Sequence, residues 1–191
     1  LNQLLKEIKG TEIIKNKEFF KLIFSSSFRC IQSFILSIII SIVLVITSYF
    51  SKVVYNILYP IITFMKAVPT MAFIVLLLIW TSKDLSPIII GILISLPIFY
   101  DEMLNSLFNI DEGLLKMIKI YRVSKLDKIK VIVIPVIYME IKKIMSSTIS
   151  LIFKVVISSE VYAQPQYGIG SIIQFEKLQL NTSAIIGWMI I

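Results

Sequence analysis

The sequence predicts an all-α integral membrane protein, a polytopic bundle of membrane-spanning helices. Of its 191 residues, 57% are hydrophobic and only 16% are charged, and the mean hydropathy is +0.90. A soluble domain is usually about one quarter charged, so this chain has too few polar side chains to cover a water-soluble globule. Its apolar runs are long enough to cross a bilayer, where the backbone must satisfy its own hydrogen bonds and therefore forms helices.

Composition also excludes several function classes. The net charge of +7 suits a nucleic-acid-binding face or the basic cytoplasmic loops of a membrane protein. The basic residues lie between apolar runs, which favours the loops and predicts no nucleic-acid partner. The chain has no histidine and no Walker A or dinucleotide glycine pattern, and Cys30 is its single cysteine. The sequence therefore predicts no catalytic residues, no metal site and no cofactor held by this chain.

Residues 1–29 form a polar lead-in with six basic and three acidic residues. Its apolar residues have helix-like spacing, which predicts an amphipathic segment on the membrane surface. A solvated helix preceding the membrane part is an equally open interpretation. Residues 30–191 are then predicted to form a single transmembrane domain.

The first predicted span covers residues 30–51, which carry no charge. Arg29 and Lys52 flank it, and long basic side chains at such ends are expected to reach the two membrane interfaces. Three serines recur at every fourth position, which predicts a stripe of small residues where another helix approaches closely: Ser33, Ser37 and Ser41.

The second apolar run, residues 53–80, is interrupted by Lys66 and Pro69. Pro69 lacks a backbone donor and is expected to kink or break the helix. Lys66 beside that break either lines a solute pathway or reaches an interface, and both interpretations stay open. Residues 85–100 form a third run, which Asp101 and Glu102 are predicted to end.

The fourth run covers residues 144–159 and contains Lys154, which suits either a pathway or an interface. Glu160 follows it, before a Pro/Gly-rich turn. This carboxylate either sits in the headgroup layer or pairs with a cation, stabilises the following loop or touches a solute. Gly168 and Gly170 are expected to serve the backbone geometry of that turn.

Residues 184–191 begin a fifth helix that is too short to span. The sequence thus predicts about five spans with the last one truncated, and the chain is expected to continue beyond one or both ends.

Residues 111–135 are the most polar interruption between apolar runs. They predict two short helices, the second opened by Ser124 as N-cap with Asp127 as its partner, and Pro135 marks the start of the next span. Residues 111–143 carry eight basic and four acidic residues, which predicts a cytoplasmic location. Alternation then places the basic lead-in outside, against its charge. Either an earlier helix precedes Leu1, or the predicted topology is wrong by one span.

These motifs together resemble the transmembrane permease subunit of bacterial ABC importers, from about Phe20 to the end. Residues 116–124 occupy the family's cytoplasmic loop signature, which Pro135 closes. Other matches are a basic residue shortly before a proline, an aromatic at the end of that run, a proline late in the next helix, and a Glu followed by Gly-x-Gly: Lys66 with Pro69, Trp80, Pro97, and Glu160 with Gly168 and Gly170. Within the family, the chain is most similar to the nitrate, sulfonate, taurine and pyrimidine-precursor importers. Arg122 departs from the pattern, which has a glycine there.

The resemblance implies a function and a set of partners. The chain would be a multi-pass subunit of the cell membrane that forms the solute pathway with a second permease copy, as a homodimer. Separate ATPase subunits would bind ATP and dock on the cytoplasmic helix-turn-helix, and an extracytoplasmic binding protein would deliver solute. Residues expected to couple to the ATPase are Leu115, Ile118, Lys119, Tyr121, Arg122 and Ser124.

Two other functions stay open. An ion-coupled secondary transporter would need a relay of acids inside the membrane, for which Glu160 is the sequence's one candidate. A membrane scaffold would use the basic loop to recruit a soluble partner without transport.

Overall fold

The computed structural model describes residues 17–111, 113–114, 120–121 and 124–190, and all regular structure within them is helical. The four helices before the basic segment are α1 (Lys17–Phe50), α2 (Lys52–Ala67), α3 (Thr70–Trp80) and α4 (Ser86–Phe108). They are followed by α5 (Lys125–Lys128), a π-helical turn (Ile129–Val133), α6 (Ile134–Ala163), α7 (Ile169–Leu178) and α8 (Thr182–Ile190). The predicted all-helical class is therefore confirmed for the described residues.

Three segments are long and apolar enough to cross a membrane: Phe19–Phe50, Ser86–Phe108 and Ile129–Ala163. The helices α2 and α3 pass the same test only as a pair, which is bent by 100° at the break between them. Three spans, or four if this pair counts as one, make a helical membrane protein. The last described helix, α8, has nine residues and does not reach that length.

The helix α1 is longer than the predicted first span. It begins at Lys17 and continues without interruption to Phe50, so residues 17–29 belong to the same helix as the apolar run. No proline or glycine lies within it, so nothing in the local sequence stops the helix between the polar and apolar parts. The helix ends where Ser51 caps α2, accepting a hydrogen bond from the Val54 N–H at 3.4 Å.

Another predicted boundary is wrong. Asp101 and Glu102 do not end the helix of the third apolar run, because α4 continues to Phe108. The helix that contains the fourth apolar run begins at Ile134, where Pro135 was predicted to mark the start of the next span. Pro135 lies at the start of α6, directly after the π turn. Pro135 has no N–H and cannot donate to the carbonyl four residues back. One residue earlier, within the wider π turn, the N–H of Ile134 donates to the Ile129 carbonyl.

The described residues form two compact units, one comprising residues 17–34, 69–92 and 151–190 and the other comprising 35–68 and 93–150. In the first unit, Cys30 packs with Ile152 and Val156, and Trp188 packs with Leu22 and Ile169. In the second unit, the largest fully buried side chains include Phe99, Tyr100, Met103, Leu107 and Val133.

The predicted serine stripe is confirmed as a packing face. In the first unit, the Ser33 hydroxyl donates to the Ile88 carbonyl at 3.0 Å, and a Cβ on Gly91 would stand 2.6 Å from the Ser33 Oγ. In the second unit, the Ser41 hydroxyl donates to the Leu96 carbonyl at 3.1 Å. Ser37 is also fully buried. Small side chains thus allow the backbone of α4 to approach α1 closely.

Candidate functional site: a buried ion cluster and an exposed basic segment

Glu160, in the last turn of α6, is the centre of a buried cluster in the first unit. Its side chain is fully buried and lies 2.8 Å from the Arg29 guanidinium. The Ser26 hydroxyl donates to its carboxylate, with oxygens at 2.7 and 2.9 Å, and the Gly170 N–H donates to it at 3.1 Å. Three donors from different parts of the chain are thus directed at the carboxylate, which is what a buried charge needs to be stable.

The carboxylate also caps the helix α7. Gly170 lies in the first turn of α7, and the preceding N–H, of Ile169, donates to the Ser26 hydroxyl at 2.9 Å. The first N–H groups of a helix have no partner within it, and its N-terminus favours negative charge. Ser26 and Glu160 therefore satisfy the start of α7 from two other segments of the chain.

Arg29 connects the cluster to two further segments. Its guanidinium donates to the Tyr167 carbonyl at 2.7 Å and forms an ion pair with Asp84 at 2.9 Å. The arginine side chain is 9% exposed, so the prediction that it reaches toward a membrane interface is wrong. Its carboxylate partners hold it inside the fold instead.

Gly168 and Gly170 are required for space. Gly168 has a φ of 171°, an extended conformation that any residue adopts. A Cβ at Gly168 would lie 2.7 Å from the Glu160 carboxylate, and one at Gly170 would overlap the Ile157 carbonyl oxygen. The two glycines let the turn close over Glu160, so their role is close approach and not conformational freedom.

These contacts define what the cluster can do chemically. A carboxylate that is fully buried, paired with Arg29 and enclosed by the backbone at Gly168 and Gly170 has no open side for a solute. Of the interpretations open for Glu160, pairing with a cation and holding the following loop is the one this geometry fits. Sequence reasoning missed Ser26 and Asp84. The signal for Ser26 was its spacing of about one helical turn from Arg29 and about two turns from Ser33.

Lys66 lies in the last turn of α2, in the second unit. Its ammonium forms an ion pair with Asp101 of α4 at 2.5 Å, and the two side chains are 52% and 27% exposed. The partner Asp101 was not predicted. The chain breaks directly after this turn, with Val68 extended and Pro69 preceding α3, as predicted for Pro69.

The basic segment is described in part. The Ser124 hydroxyl accepts a hydrogen bond from the Asp127 N–H at 3.2 Å and donates to its carboxylate at 2.6 Å, which confirms the predicted cap. Ile120 and Tyr121 are 76% and 75% exposed. The other predicted coupling residues lie outside the described residues: Leu115, Ile118, Lys119 and Arg122.

Lys128, which ends the short helix after Ser124, lies over two aromatic rings at the end of α1. Its ammonium is 4.9 Å from the ring centre of Tyr49 and 5.8 Å from that of Phe50. A cation over an aromatic face is attracted to it, so this contact fixes the end of the basic segment in the second unit.

Among the described residues, no group of three or more acidic, histidine or cysteine side chains could hold a metal ion. No protein-family model matches the chain, and no curated protein matches it.

Proposed function

We propose that this chain is the transmembrane permease subunit of an ATP-binding-cassette importer. It forms part of the pathway for a small solute, such as a sulfonate, nitrate or a pyrimidine precursor, in the cell membrane. It has no catalytic residues, since ATP is bound and hydrolysed by separate ATPase subunits. A second copy of the chain completes the pathway, and an extracytoplasmic binding protein delivers the solute.

One observation carries the proposal: an apolar surface on the polar segment between two candidate spans. Ile120 and Tyr121 expose about three quarters of their surface, and the segment lies between Ser86–Phe108 and Ile129–Ala163. Two adjacent apolar side chains with this exposure, on the basic segment between two candidate spans, support a protein partner that covers them. The cap at Ser124 and the contact of Lys128 with Tyr49 give that segment a defined end for a partner to push against.

The geometry of Glu160 favours this function over an ion-coupled secondary transporter. Such a transporter needs an acid that takes up and releases a proton or cation in the membrane. Glu160 is instead enclosed and paired with Arg29. A scaffold without transport shares the exposed apolar segment, so it is the alternative that an experiment must separate.

The test is association with an ATPase. The full protein carrying Ile120→Asp and Tyr121→Asp is expected to lose co-purification with its partner ATPase, while it still inserts in the membrane. Leu180→Asp is the matched control, since Leu180 is 87% exposed in a different polar connection and is expected to leave association unchanged.

Retained association of the double variant would contradict the proposed docking surface. Solute uptake by vesicles that contain the wild-type chain but lack the ATPase would contradict the importer itself. Association with no ATP-dependent uptake would favour the scaffold.

A further inference from the structure

Four aromatic side chains near the ends of α1, α2 and α4 form a connected cluster in the second unit. The ring centre of Phe108, the last residue of α4, lies 6.1 Å from that of Tyr49 and 5.8 Å from that of Tyr55. Phe50, the last residue of α1, packs edge-on against Tyr49 with ring centres 5.2 Å apart. Lys128 completes this aromatic cluster, since its ammonium lies over the rings of Tyr49 and Phe50.

The aromatic cluster lies where the three candidate membrane spans end or begin. Phe19–Phe50 and Ser86–Phe108 both end at it. The third, Ile129–Ala163, begins directly after Lys128. The ends of apolar helices lie near the boundary between hydrocarbon and headgroups, where aromatic rings are enriched because they bury an apolar body beside a wet polar tip. The position and the composition of the cluster therefore suit the headgroup layer.

Lysines concentrate around the aromatic cluster. Lys52 lies two residues after Phe50, and Lys130 lies two residues after Lys128. Two such residues have Cα atoms no more than about 7.6 Å apart, so both lysines are close to the cluster. The side chains of Lys52 and Lys130 are exposed. Within the part of the chain that the structure describes, none of these three lysines forms an ion pair.

The nearby carboxylates leave this end of the unit positively charged. Residues 49–55, 108–111 and 124–130 contain four lysines and two aspartates. Both aspartates have other partners: Asp111 accepts a hydrogen bond from the Leu114 N–H at 3.1 Å, and Asp127 accepts one from the Ser124 hydroxyl at 2.6 Å. A lysine ammonium has three donors and no acceptor, so this surface is suited to an anion that accepts hydrogen bonds.

The exposed side chains on α2 beside these lysines are apolar. Val53 and Ile57 lie one helical turn apart and expose 68% and 59% of their surface. A molecule that covers this surface needs an anionic group for the lysines and a hydrocarbon part next to it, which is how a bilayer phospholipid is built. A second copy of the chain in a twofold contact would bring the same lysines together.

We infer that this end of the second unit binds the headgroup of an anionic phospholipid, with Lys52 and Lys128 holding the phosphate and Val53 and Ile57 lying along an acyl chain. The aromatic rings keep the Lys128 ammonium in place, since a cation over an aromatic face is attracted to it. This goes beyond the proposed function and does not depend on it, because the lipid contact requires only that the chain crosses a membrane.

The test is competition between two lipids for the full protein in detergent micelles, measured by native mass spectrometry. The probes are phosphatidylglycerol, which is anionic, and phosphatidylcholine, which has no net charge, with identical acyl chains and at equal concentrations. A lysine near an anionic membrane surface contributes about fivefold in affinity. We therefore expect the ratio of bound phosphatidylglycerol to bound phosphatidylcholine to fall roughly tenfold or more in Lys52→Gln with Lys128→Gln.

Two matched variants control for net charge and for folding. Lys83→Gln with Lys177→Gln removes two exposed lysines from the first unit and is expected to keep the wild-type ratio. Lys52→Arg with Lys128→Arg keeps both charges and is also expected to keep it, since either cation binds phosphate.

Four results would overturn the inference. An unchanged lipid ratio in Lys52→Gln with Lys128→Gln would exclude these lysines, and loss of ATPase co-purification in that variant would then assign the surface to a protein partner. An equal fall in the control that lacks Lys83 and Lys177 would show an effect of net charge alone. An equal fall in the arginine variant would show that charge is not what is recognised. Displacement of phosphatidylglycerol by an equal concentration of inorganic phosphate would show a site for free phosphate.

Discussion

The ion pair of Arg29 with Glu160 and that of Lys66 with Asp101 each join distant segments, and they differ in burial and in the number of hydrogen bonds that surround them. In the first unit, Arg29 and Glu160 are buried, and the carboxylate also receives hydrogen bonds from Ser26 and Gly170. In the second unit, Lys66 and Asp101 meet through a single contact and remain partly exposed. A buried, fully bonded pair fixes a structure, whereas an exposed pair contributes little to stability and is free to exchange partners.

The largest expected effect is the loss of the buried carboxylate. Glu160→Ala leaves Arg29 buried with one carboxylate fewer and removes the cap on α7, so we expect a loss of about 3–5 kcal/mol in the free energy of unfolding. Urea unfolding in detergent, followed by tryptophan fluorescence, measures it, since Trp188 packs beside α7 in the same unit.

The matched control removes both charges. In Arg29→Met with Glu160→Met no buried charge is left unpaired, and we expect a smaller loss than in Glu160→Ala alone. A loss below about 1 kcal/mol in Glu160→Ala would contradict a stabilising role for the cluster.

A smaller effect is expected from filling the space beside the carboxylate. In Gly170→Ala the new Cβ would overlap the Ile157 carbonyl oxygen and approach the Glu160 Cβ at 2.6 Å, so the backbone must shift. Overpacking of this kind costs about 1–3 kcal/mol in the same unfolding experiment.

Gly187 provides the control, since a Cβ there has no neighbour within 4 Å among the described residues. Gly187→Ala is expected to leave stability unchanged or raise it by up to about 1 kcal/mol through helix propensity. If the two alanine variants lost equal stability, the close packing of Gly170 on Glu160 would not matter.

The sequence predicted the features that depend on local composition. Hydropathy gave the helical membrane class, serines at every fourth position gave the packing stripe, and Ser124 with Asp127 gave a cap that the structure contains. Each of these depends on residues within a few turns of one helix, where spacing and propensity decide the outcome.

The features that failed depend on partners far along the chain. Asp101 was predicted to end a helix because its distant partner Lys66, 35 residues earlier, was not known. Arg29 was placed at an interface because its carboxylate partners lie 55 and 131 residues away. An unpaired charge beside an apolar run marks a helix end or an interface, whereas a paired charge can lie within a helix or inside the fold. Sequence spacing does not show which charges are paired.

The smallest effect on stability is expected at the exposed pair. In Lys66→Gln the single contact with Asp101 is lost. The lysine is about half exposed and the Asp101 carboxylate regains water in the variant, so the free energy of unfolding should fall by at most about 1 kcal/mol. The exchanged variant, Lys66→Asp with Asp101→Lys, restores a pair of opposite charges and should recover that loss. A loss in Lys66→Gln as large as that of Glu160→Ala, measured by the same urea unfolding, would contradict the contrast. It would mean that the pair of Lys66 and Asp101 is shielded from water in the assembled protein. Removing one partner of an ion pair costs that much only when the remaining charge is buried.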